Sequence, residues 1–331
     1  MCGILVILSK NKKLNKKKCF LSTKSINQRG PDKKLWNFFE KNKLFIFNSI
    51  LSITGKINSK NNNLYNSENK NYYLSFNGEI YNYYSLKNKL KEIKNYDLSN
   101  DSKVLVNLFE NYKKENISNL INGMFAYVIY DHKYKKIFFS TDPQGEKRLY
   151  KYEDKEVFIL SSTPKSIKEY LGECKFNINS FRDYFATRHF LMMEKTIYKK
   201  ISIINTGCFF EYSTKNYTLK KTNYDNPLNW IDENKYRYFN SLNENELIEY
   251  FHDLFLNQLK LMIPKVKYGS VFSGGIDSSL QTAMISKLDK NFIPATIHHQ
   301  NKDKITEKIE LFEPYIQKKI HKFNANIKLN K

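Results

Sequence analysis

The stretch Cys2-Gly3-Ile4-Leu5-Val6-Ile7-Leu8 places a thiol directly before an apolar run of strand-forming residues. Removal of Met1 would leave Cys2 with a free α-amine beside its own thiol. An α-amine has a reference pKa of about 7.7–8.0, so it can accept a thiol proton near neutral pH without a histidine. The stretch therefore predicts an N-terminal nucleophile. The alternative is that Cys2 is a small buried residue that starts a strand.

Three further motifs follow in chain order. They are Gln28-Arg29-Gly30-Pro31-Asp32, Asn77-Gly78-Glu79-Ile80-Tyr81-Asn82 and Ser273-Gly274-Gly275-Ile276-Asp277-Ser278-Ser279. Together with the Cys2 start, they resemble the glutamine-dependent asparagine synthetase family over nearly the whole chain. The resemblance implies a class II N-terminal-nucleophile amidotransferase domain followed by an ATP-pyrophosphatase domain.

The fold class that this resemblance implies combines α+β and α/β parts. The first is a four-layer αββα Ntn-hydrolase sandwich, and the second is an incomplete parallel α/β domain of the ATP-pyrophosphatase (adenine nucleotide alpha hydrolase-like) class. We assign residues 1–212 to the amidotransferase domain, 213–240 to a linker and 241–331 to the N-terminal part of the synthetase domain. Because only about ninety residues follow the linker, we expect a chain that is C-terminally truncated.

Residue patterns agree with this division. The apolar run Gly123–Asp131 predicts a strand buried on both faces. From Tyr268 onwards the sequence predicts a strand to Phe272, a helix over Leu280–Leu288 and a second strand over Phe292–Ile297. A charged helix interrupted at Pro314 is expected over Lys302–Phe323. This alternation predicts a parallel sheet.

The resemblance also implies residue roles in glutamine hydrolysis. Cys2 attacks the amide carbon, Asn77 and Gly78 donate hydrogen bonds to the oxyanion, and all three are expected to be catalytic. Glutamine is bound by Asn77, Gly78, Glu79 and Asp101, of which Glu79 and Asp101 contact the substrate amine.

Two of these assignments have structural alternatives. A strand predicted over Tyr72–Phe76 delivers Asn77-Gly78 at its end, and Asn-Gly is also the strongest short hairpin signal. Asp101 follows Asn100 at the start of a predicted helix, where a carboxylate satisfies free N–H groups. One carboxylate can fill both roles.

One segment departs from the family pattern. Asn48-Ser49-Ile50-Leu51-Ser52-Ile53 matches a His-x-Arg-Leu-Ser-Ile strand, but Ile50 stands where an arginine clamps the glutamine α-carboxylate. An aliphatic side chain cannot replace a bidentate charged pair. We therefore expect either that Arg29 or Arg148 substitutes for it or that glutamine binds weakly, with an elevated KM.

The third motif has the chemistry of an anion-binding turn. Consecutive glycines allow close backbone approach, and N–H groups at a helix start receive an anion. The motif lacks the Gly-Lys-Ser/Thr end of the kinase-type P-loop. The alternative is a glycine-rich turn with a Ser/Asp helix cap. The resemblance implies ATP and Mg²⁺ as cofactors and adenylation of a carboxylate that ammonia then attacks. The residues expected to bind ATP or pyrophosphate are Phe272, Ser273, Gly274, Gly275, Asp277 and Ser278.

Composition limits the partners. With 55 basic and 33 acidic residues the net charge is +22, but no basic stripe accompanies a nucleic-acid-binding signature. The four cysteines show neither a disulfide nor a zinc-site spacing, and we expect no metal site in the protein itself. There is no long apolar segment and no signal-peptide pattern. We expect a cytoplasmic protein without nucleic-acid or membrane partners.

The resemblance implies glutamine and a carboxylate acceptor, by default aspartate, as substrates, and it allows a homodimer. Two alternatives remain open at this point. One is a related amidotransferase that acts on another acceptor, such as a sugar acid in surface polysaccharide synthesis. The other is a truncated, non-catalytic remnant.

Overall fold

The apolar run after Cys2 forms a central strand. In the computed structural model, all seven residues of β1 (Gly3–Ser9) are buried. Successive side chains of a strand face opposite sides. Ile4 and Val6 accordingly pack in one hydrophobic core, and Leu5 and Ile7 pack in another. β1 therefore lies between two apolar layers, as its unbroken hydrophobic sequence requires.

The structure describes residues 1–54, 62–94, 96–188, 194–298 and 304–324. The chain divides into two units, Met1–Asp232 and Glu233–Lys331. The segment 213–240, expected to be a linker, contributes a strand (Leu219–Asn223) to the first unit and a helix (Glu233–Ser241) to the second. In the described part of the chain, no helix combines the length and apolarity that a membrane span needs.

The first unit contains two six-stranded sheets and seven α-helices within its described residues. Its strands are β1, β2 (Lys33–Phe39), β3 (Leu44–Ile50), β4 (Tyr65–Asn66), β5 (Tyr72–Ile80), β6 (Gly123–Asp131), β7 (Lys136–Thr141), β8 (Tyr150–Glu153), β9 (Val157–Ser161), β10 (Ile201–Ile203), β11 (Cys208–Ser213) and β12 (Leu219–Asn223). Its helices are α1 (Lys16–Leu21), α2 (Lys24–Asn27), α3 (Tyr83–Ile93), α4 (Asp101–Asn111), α5 (Ile117–Leu120), α6 (Pro164–Leu171) and α7 (Ile178–Thr187).

These elements form four layers. One sheet has the strand order β10-β8-β9-β1-β3-β2 and the other β12-β11-β7-β6-β5-β4, with antiparallel pairing throughout. The sheets pack face to face through β1, β3 and β5, while α2 and α6 cover the outer face of the first sheet and α4 covers that of the second. The αββα sandwich predicted for the N-terminal part is confirmed.

A buried amide joins the two sheets close to the chain start. Asn48 on β3 is 1% exposed, and its Nδ2 donates to the Gly3 carbonyl at 2.9 Å and to the Phe76 carbonyl at 3.0 Å. Its Oδ1 accepts the Phe76 N–H at 3.1 Å. Asn48 thus fixes β1 of one sheet against β5 of the other, next to Cys2.

We expect Asn48→Ala to destabilise the first unit by about 3 kcal/mol, because three backbone groups lose buried hydrogen bonds. Urea unfolding followed by tryptophan fluorescence measures the change. The exposed Asn11→Ala is the control and should change the free energy of unfolding by less than about 0.5 kcal/mol. Equal stabilities of the two variants would contradict this role.

The second unit contains a three-stranded parallel sheet. In chain order its elements are α8 (Glu233–Ser241), α9 (Glu244–Met262), β13 (Gly269–Val271), α10 (Ile276–Leu288), β14 (Ile293–His298), α11 (Lys304–Ile316) and β15 (His321–Asn324). The strands pair in the order β13-β14-β15. The strand–helix alternation therefore does produce parallel pairing.

The helix expected over Lys302–Phe323 is wrong in its last part. α11 ends at Ile316, and Gln317 has a left-handed φ of 52°, which stops the helix. The following residues form β15, which pairs with β14. This strand, with the sequence HKFN, has a single apolar residue and therefore lacks the alternation that predicts a strand.

Candidate active site

The Cys2 thiol lies at the end of β3, where β1 begins. The Leu51 N–H points at Sγ from 3.4 Å, and Sγ lies 3.7 Å from the Leu51 carbonyl oxygen. Burial raises the pKa of the Cys2 thiol, and the Leu51 hydrogen bond opposes this rise. Burial lowers the pKa of the Met1 α-amine, which precedes Cys2 in the unprocessed chain. The raised thiol pKa keeps Cys2 protonated, so its attack requires a base that takes the thiol proton.

A cavity opens beside this thiol. It is lined by residues from the ends of β3 and β5 and from the start of α4, three elements that lie far apart in the sequence. Its lining includes Cys2, Ile50, Tyr65, Gly78, Asn100 and Asp101. The structure thus brings Cys2, Gly78 and Asp101, each predicted from sequence, to one place.

Asn77 and Gly78 lie within β5, so neither a hairpin turn nor a strand end at Phe76 is correct. Asn77 pairs with Ala126 of β6 and Gly78 with Phe125. A Cβ at Gly78 would approach the Met124 carbonyl oxygen to 2.2 Å. Glycine is therefore required here by the close approach of β6, and the strand continues through the Asn-Gly pair.

Asn77 does not line the cavity, but its side chain is unusual among the buried polar groups. It is 1% exposed, and neither its Nδ2 nor its Oδ1 has a hydrogen-bond partner among the described residues. A buried amide without partners costs about 1–3 kcal/mol and calls for an explanation. A catalytic role would explain the missing partners, because the amide would then donate to an oxyanion that forms only during the reaction.

Asp101 is the acidic residue that lines the cavity, and Glu79, which does not line it, acts on Asp101 through its charge. Asn100, not Asp101, caps α4, since its Oδ1 accepts the Lys103 N–H at 2.9 Å. The Asp101 carboxylate accepts the Ser102 N–H at 2.7 Å and is 6% exposed. Burial, reinforced by the charge of Glu79, raises the Asp101 pKa to about 7. Burial also raises the pKa of Glu79, against the influence of Lys147.

The Asp101 pKa predicts opposite pH effects on binding and stability. We expect the Cys2→Ala protein to bind glutamine about tenfold more weakly at pH 6 than at pH 8, because protonated Asp101 cannot pair with an ammonium group. The folded-state pKa of about 7 exceeds the ordinary 3.8, so the folded chain binds more protons in this window. The Asp101 contribution to the free energy of unfolding therefore falls as pH rises from about 4 to 7.

Titration calorimetry at millimolar glutamine and urea unfolding measure the two effects. Asp101→Asn is the control in both experiments, since it keeps the shape of the side chain and removes its titration. An affinity of the Cys2→Ala protein for glutamine that is the same at pH 6 and pH 8 would contradict the role assigned to Asp101.

Neither of the two arginines expected to replace the family arginine lines this cavity. Ile50 lines the cavity, as the sequence match requires. Arg29 donates from Nε to the Cys2 carbonyl at 3.0 Å. Arg148 is exposed and lines a different cavity, beside Tyr184 and Glu194.

Sequence reasoning missed Lys147. Its charge acts on both Glu79 and the N-terminal amine. Its backbone N–H donates to the buried Asp142 carboxylate at 3.0 Å, as do the N–H groups of Glu146 (2.9 Å) and Phe125 (3.1 Å). The turn Asp142-Pro143-Gln144-Gly145 was the available signal, because an aspartate that starts a turn fixes the residues after it.

The second unit holds the glycine-rich motif in the turn between β13 and α10. Gly274 has a left-handed φ of 74°, and Ser273 donates its N–H to the Ser278 hydroxyl at 3.1 Å. Lys308 donates from Nζ to the Gly274 carbonyl at 3.0 Å. Phe272 is buried, whereas Ser273, Gly275 and Asp277 are exposed. α10 starts at Ile276, inside the motif, so the motif stands at a helix N-terminus.

Comparisons with known proteins identify the first unit. A glutamine amidotransferase domain model matches residues 1–224. The probable glutamine-hydrolysing asparagine synthetase of Schizosaccharomyces pombe is 26% identical over 92% of this chain and 48% of its own length. A putative asparagine synthetase of Methanocaldococcus jannaschii is 29% identical over 84% of this chain and 56% of its own length. The chain thus spans about half the length of these relatives.

A solved structure supports the fold. The allosteric regulatory enzyme of purine biosynthesis superposes with a TM-score of 0.50 at 15% identity, covering 68% of this chain and 49% of that one. The resemblance drawn from the four sequence motifs is confirmed, and the αββα sandwich of the first unit is the fold of an Ntn-type amidotransferase. The chain therefore belongs to the class II glutamine amidotransferase family.

Proposed function

We propose that the first unit hydrolyses the side-chain amide of glutamine and that Cys2 is its nucleophile. The observation that carries this proposal is the placement of the Cys2 thiol, the Gly78 backbone and the Asp101 carboxylate around one cavity, with the unpartnered amide of Asn77 in the same strand as Gly78. A thiol, oxyanion donors and an amine-binding carboxylate are the parts that amide hydrolysis at an amino acid needs.

The reaction follows from these groups. After Met1 removal, the α-amine of Cys2 accepts the thiol proton as Sγ bonds to the amide carbon. The resulting oxyanion is stabilised by Asn77 Nδ2 and the Gly78 N–H. The C–N bond breaks, the leaving nitrogen takes the proton from the amine, and ammonia departs. Water then hydrolyses the thioester to glutamate and restores the thiol.

The test is the release of glutamate and ammonia from glutamine by the purified chain without ATP. We expect equal amounts of the two products. Folded protein that has lost Met1 and releases neither product would overturn the proposal and leave the non-catalytic alternative.

For the second unit we propose ATP binding at the turn 272–278. A glycine with left-handed φ, exposed serine and aspartate side chains, a helix N-terminus and the ammonium group of Lys308 fit a pyrophosphate with its Mg²⁺. Bound ATP would supply activation of a carboxylate by adenylation. Ser273, Gly274, Gly275 and Ser278 would hold the phosphates, Asp277 would contact the metal ion, and Phe272 would support the turn from the core.

Gly274→Ala is expected to reduce ATP affinity by about tenfold or more. Alanine is strained at a φ of 74°, and its Cβ would lie 2.8 Å from Lys308 Cδ. The turn must therefore change shape. Titration of ATP in Mg²⁺ measures affinity. Gly172→Ala is the matched control, because Gly172 also has a left-handed φ, of 91°, but lies at the end of α6. Unchanged ATP binding by Gly274→Ala would refute the assignment.

The whole reaction we propose is that of a glutamine-hydrolysing asparagine synthetase, with aspartate as acceptor. The names of the relatives from S. pombe and M. jannaschii support this assignment. We further propose that the protein works in the cytoplasm, where a thiol nucleophile stays reduced. A homodimer is our expectation for its assembly.

A further inference from the structure

The cavity beside Cys2 offers a partner for only one of the two charged groups of glutamine. Asp101 lines it and can pair with the α-amine. Among the described residues that line it, none is lysine or arginine. Ile50, 7% exposed, fills the position where the family pattern has the carboxylate-binding arginine.

Three cations near the cavity, all in described segments, do not line it. Arg29 Nε donates to the Cys2 backbone carbonyl at 3.0 Å, a contact that does not depend on Met1. Lys103 Nζ lies 3.5 Å from Asp97 Oδ2 and 3.4 Å from the Asn66 carbonyl. The charge of Lys147 acts to lower the pKa of Glu79, which burial raises, and that of the Met1 amine.

From this cavity we infer that the amide donor it fits best is a glutamine with a free α-amine and an uncharged α-carbonyl, such as the N-terminal glutamine of a peptide. The inference rests on the proposed function and narrows its substrate. An α-carboxylate in this cavity would lie beside aliphatic Ile50 and in the field of Asp101 and Glu79, without a paired cation. A peptide carbonyl carries no such charge.

The covalent chemistry is unchanged. Cys2 Sγ bonds to the side-chain amide carbon, the C–N bond to nitrogen breaks, and water releases the glutamyl side chain from the thioester. The ammonia comes from the side chain only, and the α-carbonyl group takes no part.

Two substrates that differ only at the α-carboxyl group test the inference on the unaltered chain. They are glutamine and glutamine α-N-methylamide, whose α-amide would release methylamine and not ammonia if it were hydrolysed. We expect kcat/KM for the methylamide to exceed that for glutamine by about tenfold or more. The Cys2→Ala protein supplies the background from spontaneous cyclisation. N-acetylglutamine, which keeps the carboxylate and lacks the amine, should not react.

A preference for glutamine, or equal rates for both compounds, would overturn the inference and leave the proposed function standing. Hydrolysis of neither compound would overturn both. Ile50→Arg should reverse the preference, whereas Ile50→Leu should keep it. Lys56→Ala/Lys60→Ala, at positions outside the described residues, should also keep it. A methylamide preference that becomes stronger in this last variant would show that a lysine there binds the carboxylate and would contradict the inference.

Discussion

Replacement of Cys2 by alanine is expected to lower kcat for ammonia release from glutamine by about 10³-fold or more. The thiol is the only group of the proposed mechanism that bonds to substrate, so no neighbouring residue can replace it. Cys2→Ser should retain only a trace of activity, since a hydroxyl is a weaker nucleophile with the same base. Alanine and serine are both small enough to preserve Met1 removal, which mass spectrometry checks.

Cys174→Ala is the matched control for this experiment. Cys174 is also a free, partly buried thiol of the first unit. It packs against the hydrophobic core that contains Leu5 and Ile7 and does not line the cavity. Its replacement should leave kcat unchanged within about twofold. Retained activity in Cys2→Ala, with loss in Cys174→Ala, would place the nucleophile elsewhere.

The second large effect is expected at Asn77. Asn77→Ala should lower kcat by about 10²- to 10³-fold, the usual cost of removing one oxyanion donor. It should leave the free energy of unfolding within about 1 kcal/mol of the original, because the removed amide has no hydrogen-bond partner among the described residues. Steady-state kinetics and urea unfolding on the same preparation measure both quantities.

Asn48→Ala is the comparison that separates catalysis from structure. Asn48 and Asn77 are equally buried, but Asn48 makes three hydrogen bonds to backbone groups of Gly3 and Phe76. Stability loss is expected for Asn48→Ala and loss of turnover for Asn77→Ala. A large loss of stability in Asn77→Ala would show that its amide has a structural role.

The sequence was most informative at residues whose type suits both the local backbone structure and the chemistry of the site. The run after Cys2 predicts a buried strand, and all seven residues of β1 are buried. Gly78 was predicted as an oxyanion donor from the family resemblance, with a hairpin turn as the structural alternative, and the structure shows no turn at the Asn-Gly pair. The pair lies in mid-strand because β6 approaches closely there, and a contact between distant segments leaves no local signal.

Electrostatic neighbours were the least predictable part of the site. The relation of Lys147 to Glu79 depends on how the turn after β7 meets β5, which spacing alone does not reveal. Arg148, the neighbour of Lys147 in sequence, was considered for the glutamine carboxylate and lies at another cavity. Sequence identifies the types of charged residues available, whereas the packing of the sheets decides which of them face the substrate.

The most direct test of the account is to look for the covalent intermediate. The chain is mixed with glutamine, quenched in acid within milliseconds to seconds, digested, and analysed by mass spectrometry. We predict an N-terminal peptide that has lost Met1 and carries a glutamyl group on Cys2, absent from the Cys2→Ala protein. Glutamate formation with an unmodified Cys2 peptide at every quench time, or with the glutamyl group on another residue, would contradict the assignment of Cys2 as nucleophile.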